Sequence, residues 1–172
     1  EPLITHHMTT KTKDASLVST KISTGYFCPI THQIIMTNCP FCNLEERVIA
    51  SNDSANVLLS NPRKTAGHAL VTPKRHVEKP WELTNKELQD IFALIWDVEQ
   101  KLIKAGMGDG VDVRQNYRPF QKQNQLKVDH LHFHVLPRTL NDYIYSVSEK
   151  YDTELFADLD NTERAEVTKL LK

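Results

Sequence analysis

The chain has no apolar run close to the ~18 residues that a helix needs to span a bilayer. It also has almost no net charge, -1 at pH 7, and therefore no general attraction to nucleic acid or to an anionic membrane. Internal repeats and low-complexity tracts are missing as well. We therefore expect neither nucleic acid nor a membrane as a partner, and any phosphate binding must be local.

The chain has only three cysteines, an odd number: Cys28, Cys39 and Cys42. The N-terminus shows no secretory pattern, so a disulfide framework is disfavoured and we expect a reducing, cytoplasmic location. Residues 1–7 precede Met8, and we interpret them as an expression remnant in front of the natural start.

A content of 40% hydrophobic and 25% charged residues is typical of a globular protein, and 172 residues suffice for one domain with a proper core. Residues 1–37 are rich in Thr, Ser and Lys and are predicted to be an N-terminal extension. Residues 38–140 form the predicted domain. Residues 141–172 are predicted to be a C-terminal tail that ends in a helix from about Thr162 to Leu171.

Periodicity predicts one long helix and several strands. Thr84 and Glu87 fit a capping box, and apolar residues then recur at helical spacing up to Gly106. Short apolar runs bounded by turn residues predict strands at 48–50, 56–60, 68–73 and 111–115. This order indicates an α+β fold, a mostly antiparallel sheet with one long helix packed on it.

Three histidines, His130, His132 and His134, alternate with large apolar residues that would face the core. Such alternation predicts a half-buried strand that places the three imidazoles on one face. An extended strand rises about 3.3 Å per residue, which separates the first histidine from the third by roughly 13 Å. Because ligating nitrogens lie about 2.0–2.1 Å from zinc, one ion can take only an adjacent pair. We therefore expect the histidines to divide their roles.

Cys39 and Cys42 form a Cys-Pro-Phe-Cys motif that supports three interpretations: a zinc knuckle, a redox pair and unmetalled packing. A redox pair would open a βαβ unit, whereas here strands follow. A zinc knuckle needs two further ligands. His76, just after a strand end, and His130 are the favoured ones.

Cys28 and His32 remain rival ligands. With His130 assigned to a metal, His132 and His134 are left for other chemistry, and a histidine on a rigid strand can act as a nucleophile toward phosphorus. Phosphate needs hydrogen-bond donors, and candidates at loop or strand ends are Asn61, Arg114, Gln115, Asn116 and Arg138.

The stretch His-Leu-His-Phe-His-Val-Leu at 130–136 resembles the signature of the histidine triad (HIT) superfamily. The segments 56–61 and 67–73 resemble the two strands before that family's long helix. The resemblance implies a HIT-like fold and a nucleotide hydrolase or nucleotidyltransferase. Such enzymes cleave dinucleoside polyphosphates or nucleoside phosphoramidates at the α-phosphate through a nucleotidyl-histidine. The third histidine, His134, stands where hexose-1-phosphate uridylyltransferases have glutamine. This difference favours hydrolysis over sugar transfer.

The resemblance also implies roles for individual residues. His132 would be the nucleophile and His134 would hold the phosphate or the leaving group. The substrate-binding residues implied are Asn61, His68, Gln115 and Asn116. In members with an N-terminal Cys-x-x-Cys, four ligands hold a structural zinc, and the matching residues here are Cys39, Cys42, His76 and His130.

The resemblance further implies a homodimer. A nucleotide-binding regulatory module with little catalysis is the alternative function, and a thiol–disulfide oxidoreductase is the weaker one.

Overall fold

The computed structural model describes residues 39–124, 126–148 and 156–172. Cys28, His32 and the rest of the predicted extension lie outside the described residues, as does the remnant at 1–7. The domain boundaries proposed above therefore stay a prediction. Among the described residues, no helix is long and apolar enough to cross a membrane.

Five strands form one antiparallel sheet, as predicted. The strands are β1 (Val48–Ser51), β2 (Ala55–Leu59), β3 (Ala69–Pro73), β4 (Gly110–Gln115) and β5 (Phe133–Arg138). Their order in the sheet is β1-β2-β3-β5-β4, so β3 and β5 lie side by side near its middle. The helices are α1 (Asn85–Lys104), α2 (Tyr143–Val147) and α3 (Asn161–Leu171), the last covering the stretch where a terminal helix was expected. Two 3-10 turns span Glu45–Arg47 and Pro80–Glu82.

Helix α1 begins and ends where its sequence predicts. The Thr84 side chain accepts a hydrogen bond from the Glu87 backbone N–H, and the Glu87 carboxylate accepts one from the Thr84 N–H. Glu87 also receives two hydrogen bonds from Arg75, at 2.8 and 2.9 Å, which hold its pKa down at about 2. This bidentate pair fastens the segment after β3 to the start of the helix.

The two faces of the sheet have different covers because side chains alternate along each strand. Val57, Val71 and Val135 belong to the core cluster beneath α1, which buries Ile91 and Ile95 of the helix. The opposite face of β2 and β3 is covered by the Cys-x-x-Cys segment. Together they form a second core cluster, which consists of Cys39, Phe41, Leu44, Leu58 and Leu70. The sheet is therefore covered by α1 on one face and, over β2 and β3, by the Cys-x-x-Cys segment on the other.

The prediction that one strand contains all three histidines was wrong, because β5 begins at Phe133. The preceding residues bond to β3 and to the segment after it. The Thr72 hydroxyl donates to the Leu131 carbonyl at 2.9 Å, and the Leu131 N–H donates to the carbonyl of Val77. The apolar alternation nevertheless continues, since Leu131, Phe133 and Val135 all lie in the cluster beneath α1.

Candidate active site and metal centre

Four side chains that could hold a metal ion converge at one end of the sheet: Cys39, Cys42, His76 and His130. Their ligand atoms all lie within 4.8 Å of one another. Cys39 Sγ lies 3.3 Å from His130 Nδ1, and Cys42 Sγ lies 3.3 Å from His76 Nδ1. The structure thus brings together the four residues that the sequence favoured.

The orientation of His130 suits a metal ligand. Its Nε2 lies 3.0 Å from the Pro73 carbonyl, which can only accept a hydrogen bond, so Nε2 bears the proton. The lone pair of the ring is then on Nδ1, the atom that faces Cys39. Burial also lowers the pKa of His130 to about 4, which keeps Nδ1 unprotonated at neutral pH.

Neither of the two cysteines is in a disulfide, and their Sγ atoms lie within 4.8 Å of each other. Burial, together with the neighbouring Cys39, raises the pKa of the Cys42 thiol to about 12. A thiolate at Cys42 therefore needs a cation beside it. The motif is followed by the 3-10 turn Glu45–Arg47 and the strand β1, not by the long helix that a redox motif opens. Both observations favour a metal knuckle over a redox pair.

Phe41, between the two cysteines, links the metal centre to the next histidine. Its ring centroid lies 5.9 Å from that of His130 and 5.2 Å from that of His132, edge-on in both cases. The side chain is buried in the second core cluster. The Cys-x-x-Cys segment therefore packs directly against the candidate nucleophile, a contact that the motif alone did not reveal.

His132 is held in a defined tautomer. Its Nδ1 lies 2.7 Å from the carbonyl oxygen of His130, so Nδ1 donates the hydrogen bond. The other ring nitrogen, Nε2, then carries the lone pair that a nucleophile requires. Burial lowers the pKa of His132, which favours this neutral form.

A second chain of hydrogen bonds sets the tautomer of His134. The backbone N–H of Lys64 donates to His68 Nδ1 at 3.1 Å, so His68 must bear its proton on Nε2. That atom lies 3.0 Å from His134 Nδ1, which therefore accepts. His134 is left with an N–H at Nε2, where it can donate to a phosphate oxygen.

Burial keeps both members of this pair neutral. It lowers the pKa of His68 to about 4 and that of His134 to about 3, with nearby Lys64 and the other histidines adding to the effect. The pair can therefore act as hydrogen-bond donor and acceptor at neutral pH without carrying charge.

A cavity opens beside these side chains, and the residues lining it include His130, His132, His134 and Asn116. Of the two predicted amides, Asn116 thus lies in the cavity wall, whereas Gln115 pairs with Phe133 in the β4–β5 ladder. Asn61 is exposed in the β2–β3 hairpin loop, whose Lys64 contacts His68.

The two arginines considered as phosphate donors make ion pairs within the protein. Arg138 pairs with Asp112 and Asp142, and Arg114 pairs with Asp112. Asp142 also caps α2 by accepting from the Tyr145 N–H, so Arg138 fastens that helix to β4. The local sequence could not reveal this, because Asp112 is 26 residues away.

Comparison with known proteins places these features in a family. The family model described as HIT domain matches residues 42–141 of this chain. A solved structure of a protein from Streptococcus mutans shares 25% sequence identity with a TM-score of 0.54, and the match covers 70% of this chain and 87% of that one.

Two curated proteins of Schizosaccharomyces pombe are similar in sequence. The asymmetrical bis(5'-nucleosyl)-tetraphosphatase is 34% identical over 102 residues, covering 52% of this chain and 50% of the relative. The adenosine 5'-monophosphoramidase is 32% identical over 111 residues, covering 62% of this chain and 78% of the relative. The match thus spans about half the length of the first relative and more than three quarters of the second.

Proposed function

The chain belongs to the HIT domain family, and from this premise we propose that it is a nucleotide hydrolase or nucleotidyltransferase. Its substrates would be dinucleoside polyphosphates or nucleoside phosphoramidates, cleaved at the α-phosphate. The names of the two S. pombe relatives, a tetraphosphatase and a phosphoramidase, support this choice. The observation that carries it is the orientation of His132, whose Nδ1–H is bonded to the His130 carbonyl while the residue lines the cavity.

In the proposed first step, His132 Nε2 attacks the α-phosphorus. An N–P bond forms, and the bond from phosphorus to the leaving oxygen or nitrogen breaks, with its electron pair going to the leaving group. A leaving nitrogen also takes up a proton from solvent, which the second step returns. The imidazole becomes positively charged, and the carbonyl of His130, 2.7 Å from Nδ1, stabilises that charge. His134 donates its Nε2–H to an oxygen of the α-phosphate or of the leaving group, with Asn116 in the wall beside it.

In the proposed second step, water attacks the phosphorus of the nucleotidyl-histidine. The new P–O bond forms, Nε2 departs with its electron pair, and a proton is released. A different acceptor in the position of water would give transfer instead of hydrolysis. His68 acts on both steps only through His134, whose tautomer it sets.

We also propose that the metal is a structural zinc. Tetrahedral ligation at ~2.0–2.3 Å separates ligand atoms by roughly 3.3–3.8 Å. Three of the four sulfur–nitrogen distances, 3.3, 3.3 and 3.7 Å, fall in that range, and all four ligand atoms lie within 4.8 Å of one another. Two sulfurs and two imidazole nitrogens are a typical zinc donor set. Zinc held by four protein ligands would fasten the Cys-x-x-Cys segment, with Phe41, to the sheet.

The direct test is incubation of the protein with diadenosine tetraphosphate and with adenosine 5'-phosphoramidate. We expect both to release AMP, with an acid-labile nucleotide adduct trapped by rapid quenching of the diadenosine reaction. Tight AMP binding without turnover or adduct would instead support the alternative of a regulatory nucleotide-binding module. A homodimer and a cytoplasmic location remain predictions.

The hydrogen-bond pattern predicts a specific set of tautomers at pH 7. We expect ¹⁵N NMR of the imidazoles to show an Nδ1–H on His132 and an Nε2–H on both His68 and His134. His68 and His134 should stay neutral at pH values well below 6.5, the ordinary pKa of histidine, because burial lowers the pKa of each. Their Nδ1–H tautomer at pH 7, or titration near 6.5, would contradict the proposed chain.

These depressed pKa values also set the sign of the pH dependence of stability. The unfolded histidines bind protons below about pH 6.5, whereas His68 does so only at about 4 in the folded protein. The contribution of His68 to the free energy of unfolding is therefore complete above pH 6.5, falls progressively below that pH, and is lost once the pH has fallen through about 4. Urea unfolding at pH 7 and at pH 4.5 measures this loss.

A further inference from the structure

Two large aromatic side chains touch each other in solvent beside the cavity. Trp81 lies in the 3-10 turn Pro80–Glu82 and is 68% exposed, and Tyr117 follows β4 and is 39% exposed. Their ring centroids are 5.0 Å apart at an interplanar angle of 74°. Exposing such apolar rings is unfavourable, so a pair of them at a cavity mouth suggests a ligand surface.

The pair is continuous with the candidate active site. Tyr117 lines the same cavity as His132 and His134, and Trp81, which is not part of the lining, contacts the Tyr117 ring. The lining of this cavity also contains Arg118 and Lys127. Lys127 is paired with Asp129, so Arg118 is the cation of the two better placed to meet a phosphate chain.

The chemistry of the pair favours a nucleobase. A base offers a flat π face, and stacking of one base on an aromatic side chain typically changes affinity about 5- to 150-fold. In the proposed reaction, the nucleoside of the attacked α-phosphate remains on His132 after the first step. The leaving group of a dinucleoside polyphosphate carries the other nucleoside at the far end of its phosphates, and it must depart through the cavity mouth.

We propose that Trp81 and Tyr117 form a stacking platform for the nucleobase of the leaving group. This inference rests on the proposed function and narrows it, because it makes dinucleoside polyphosphates better substrates than nucleotides whose leaving group has no base. The platform is assembled from the segment after the metal ligand His76 and from the loop after β4. It therefore depends on both segments being held in place.

The test compares diadenosine tetraphosphate with adenosine 5'-tetraphosphate, which has the same phosphates but lacks the second base. Trp81→Leu should lower kcat/KM for the diadenosine substrate about tenfold and leave the value for adenosine tetraphosphate unchanged. Trp81→Phe, which keeps a ring, should retain most of the activity. The matched control is Trp96→Leu, since Trp96 is 58% exposed on α1, and it should affect neither substrate.

Fluorescence gives an independent measurement, because the chain has two tryptophans. A Trp96→Phe, His132→Asn protein keeps Trp81 as its only tryptophan and does not turn the substrate over. Diadenosine tetraphosphate should quench its emission more strongly than adenosine tetraphosphate does.

The outcomes separate the two levels of the proposal. If Trp81→Leu lowers kcat/KM equally for both substrates, or for neither, the platform is overturned. Activity of the wild-type protein would still uphold the proposed function. A wild-type protein that cleaves adenosine 5'-phosphoramidate but neither tetraphosphate would overturn the platform and uphold the proposed function. One that cleaves none of the three would remove both. Equal quenching by the two nucleotides would place the first nucleoside, not the second, on Trp81.

Discussion

Replacing His132 by asparagine is expected to reduce turnover of diadenosine tetraphosphate at least about a thousandfold, while nucleotide binding persists. The asparagine amide N–H takes the position of Nδ1 and can still donate to the His130 carbonyl, which His132 contacts at 2.7 Å. The variant loses Nε2, the proposed nucleophile, together with the ring carbon Cε1. Steady-state rates and calorimetric titration with AMP measure the two effects separately.

The matched comparison is His134→Asn. The proposed role of His134 is to donate a hydrogen bond and not to form a covalent bond. We therefore expect a smaller loss of turnover, about 10²-fold, and continued formation of the acid-labile adduct. The His132→Asn protein should form no adduct. An adduct on that variant, or a turnover rate near that of the wild type, would show that the nucleophile is another residue.

Removal of the metal is the second change with a large expected effect. With free zinc at 1,000 times its dissociation constant, binding contributes about 4 kcal/mol to the free energy of unfolding, which chelation would remove. The second core cluster, which contains Cys39 and Phe41, would lose its attachment to His130. Because Phe41 packs edge-on against His132, kcat should fall as well.

Elemental analysis and thermal unfolding test this prediction. We expect one zinc per chain, a lower melting temperature after chelation, and recovery of both stability and activity when zinc returns. Cys39→Ser should abolish zinc binding, and Cys28→Ser, a change at the rival ligand outside the described residues, should leave it intact. Purified wild-type protein without zinc, or with a melting temperature insensitive to chelation, would contradict the four-ligand site.

The elements that the sequence predicted well depend on short-range interactions. The Thr84–Glu87 capping box closes over three residues, and apolar spacing then defines one side of α1 over its whole length. The strands β2 and β3 likewise follow from apolar runs bounded by turn residues. The predicted start of the last strand failed because the segment before Phe133 bonds to Thr72 and Val77, distant partners that no local pattern specifies.

The candidate site shows the same division. Its residue types and spacings, a Cys-x-x-Cys and three alternating histidines, were visible in the sequence and indicated a metal centre and phosphorus chemistry. Which ring nitrogen of each histidine bears a proton was not visible. That depends on the carbonyls of Pro73 and His130 and the N–H of Lys64, which the chain path brings to His130, His132 and His68.

The sequence by itself therefore determined the fold class, the long helix and the residues available for chemistry, because these follow from periodicity and side-chain type. Only the tertiary structure decided their partners. Cys39 and His130 are 91 residues apart, and His68 and His134 are 66 apart. The contacts of Phe41 with His132 and of Trp81 with Tyr117 likewise join separate segments. Such pairs form only when the sheet places their segments side by side, and hydrogen-bond direction and packing then assign each residue its role.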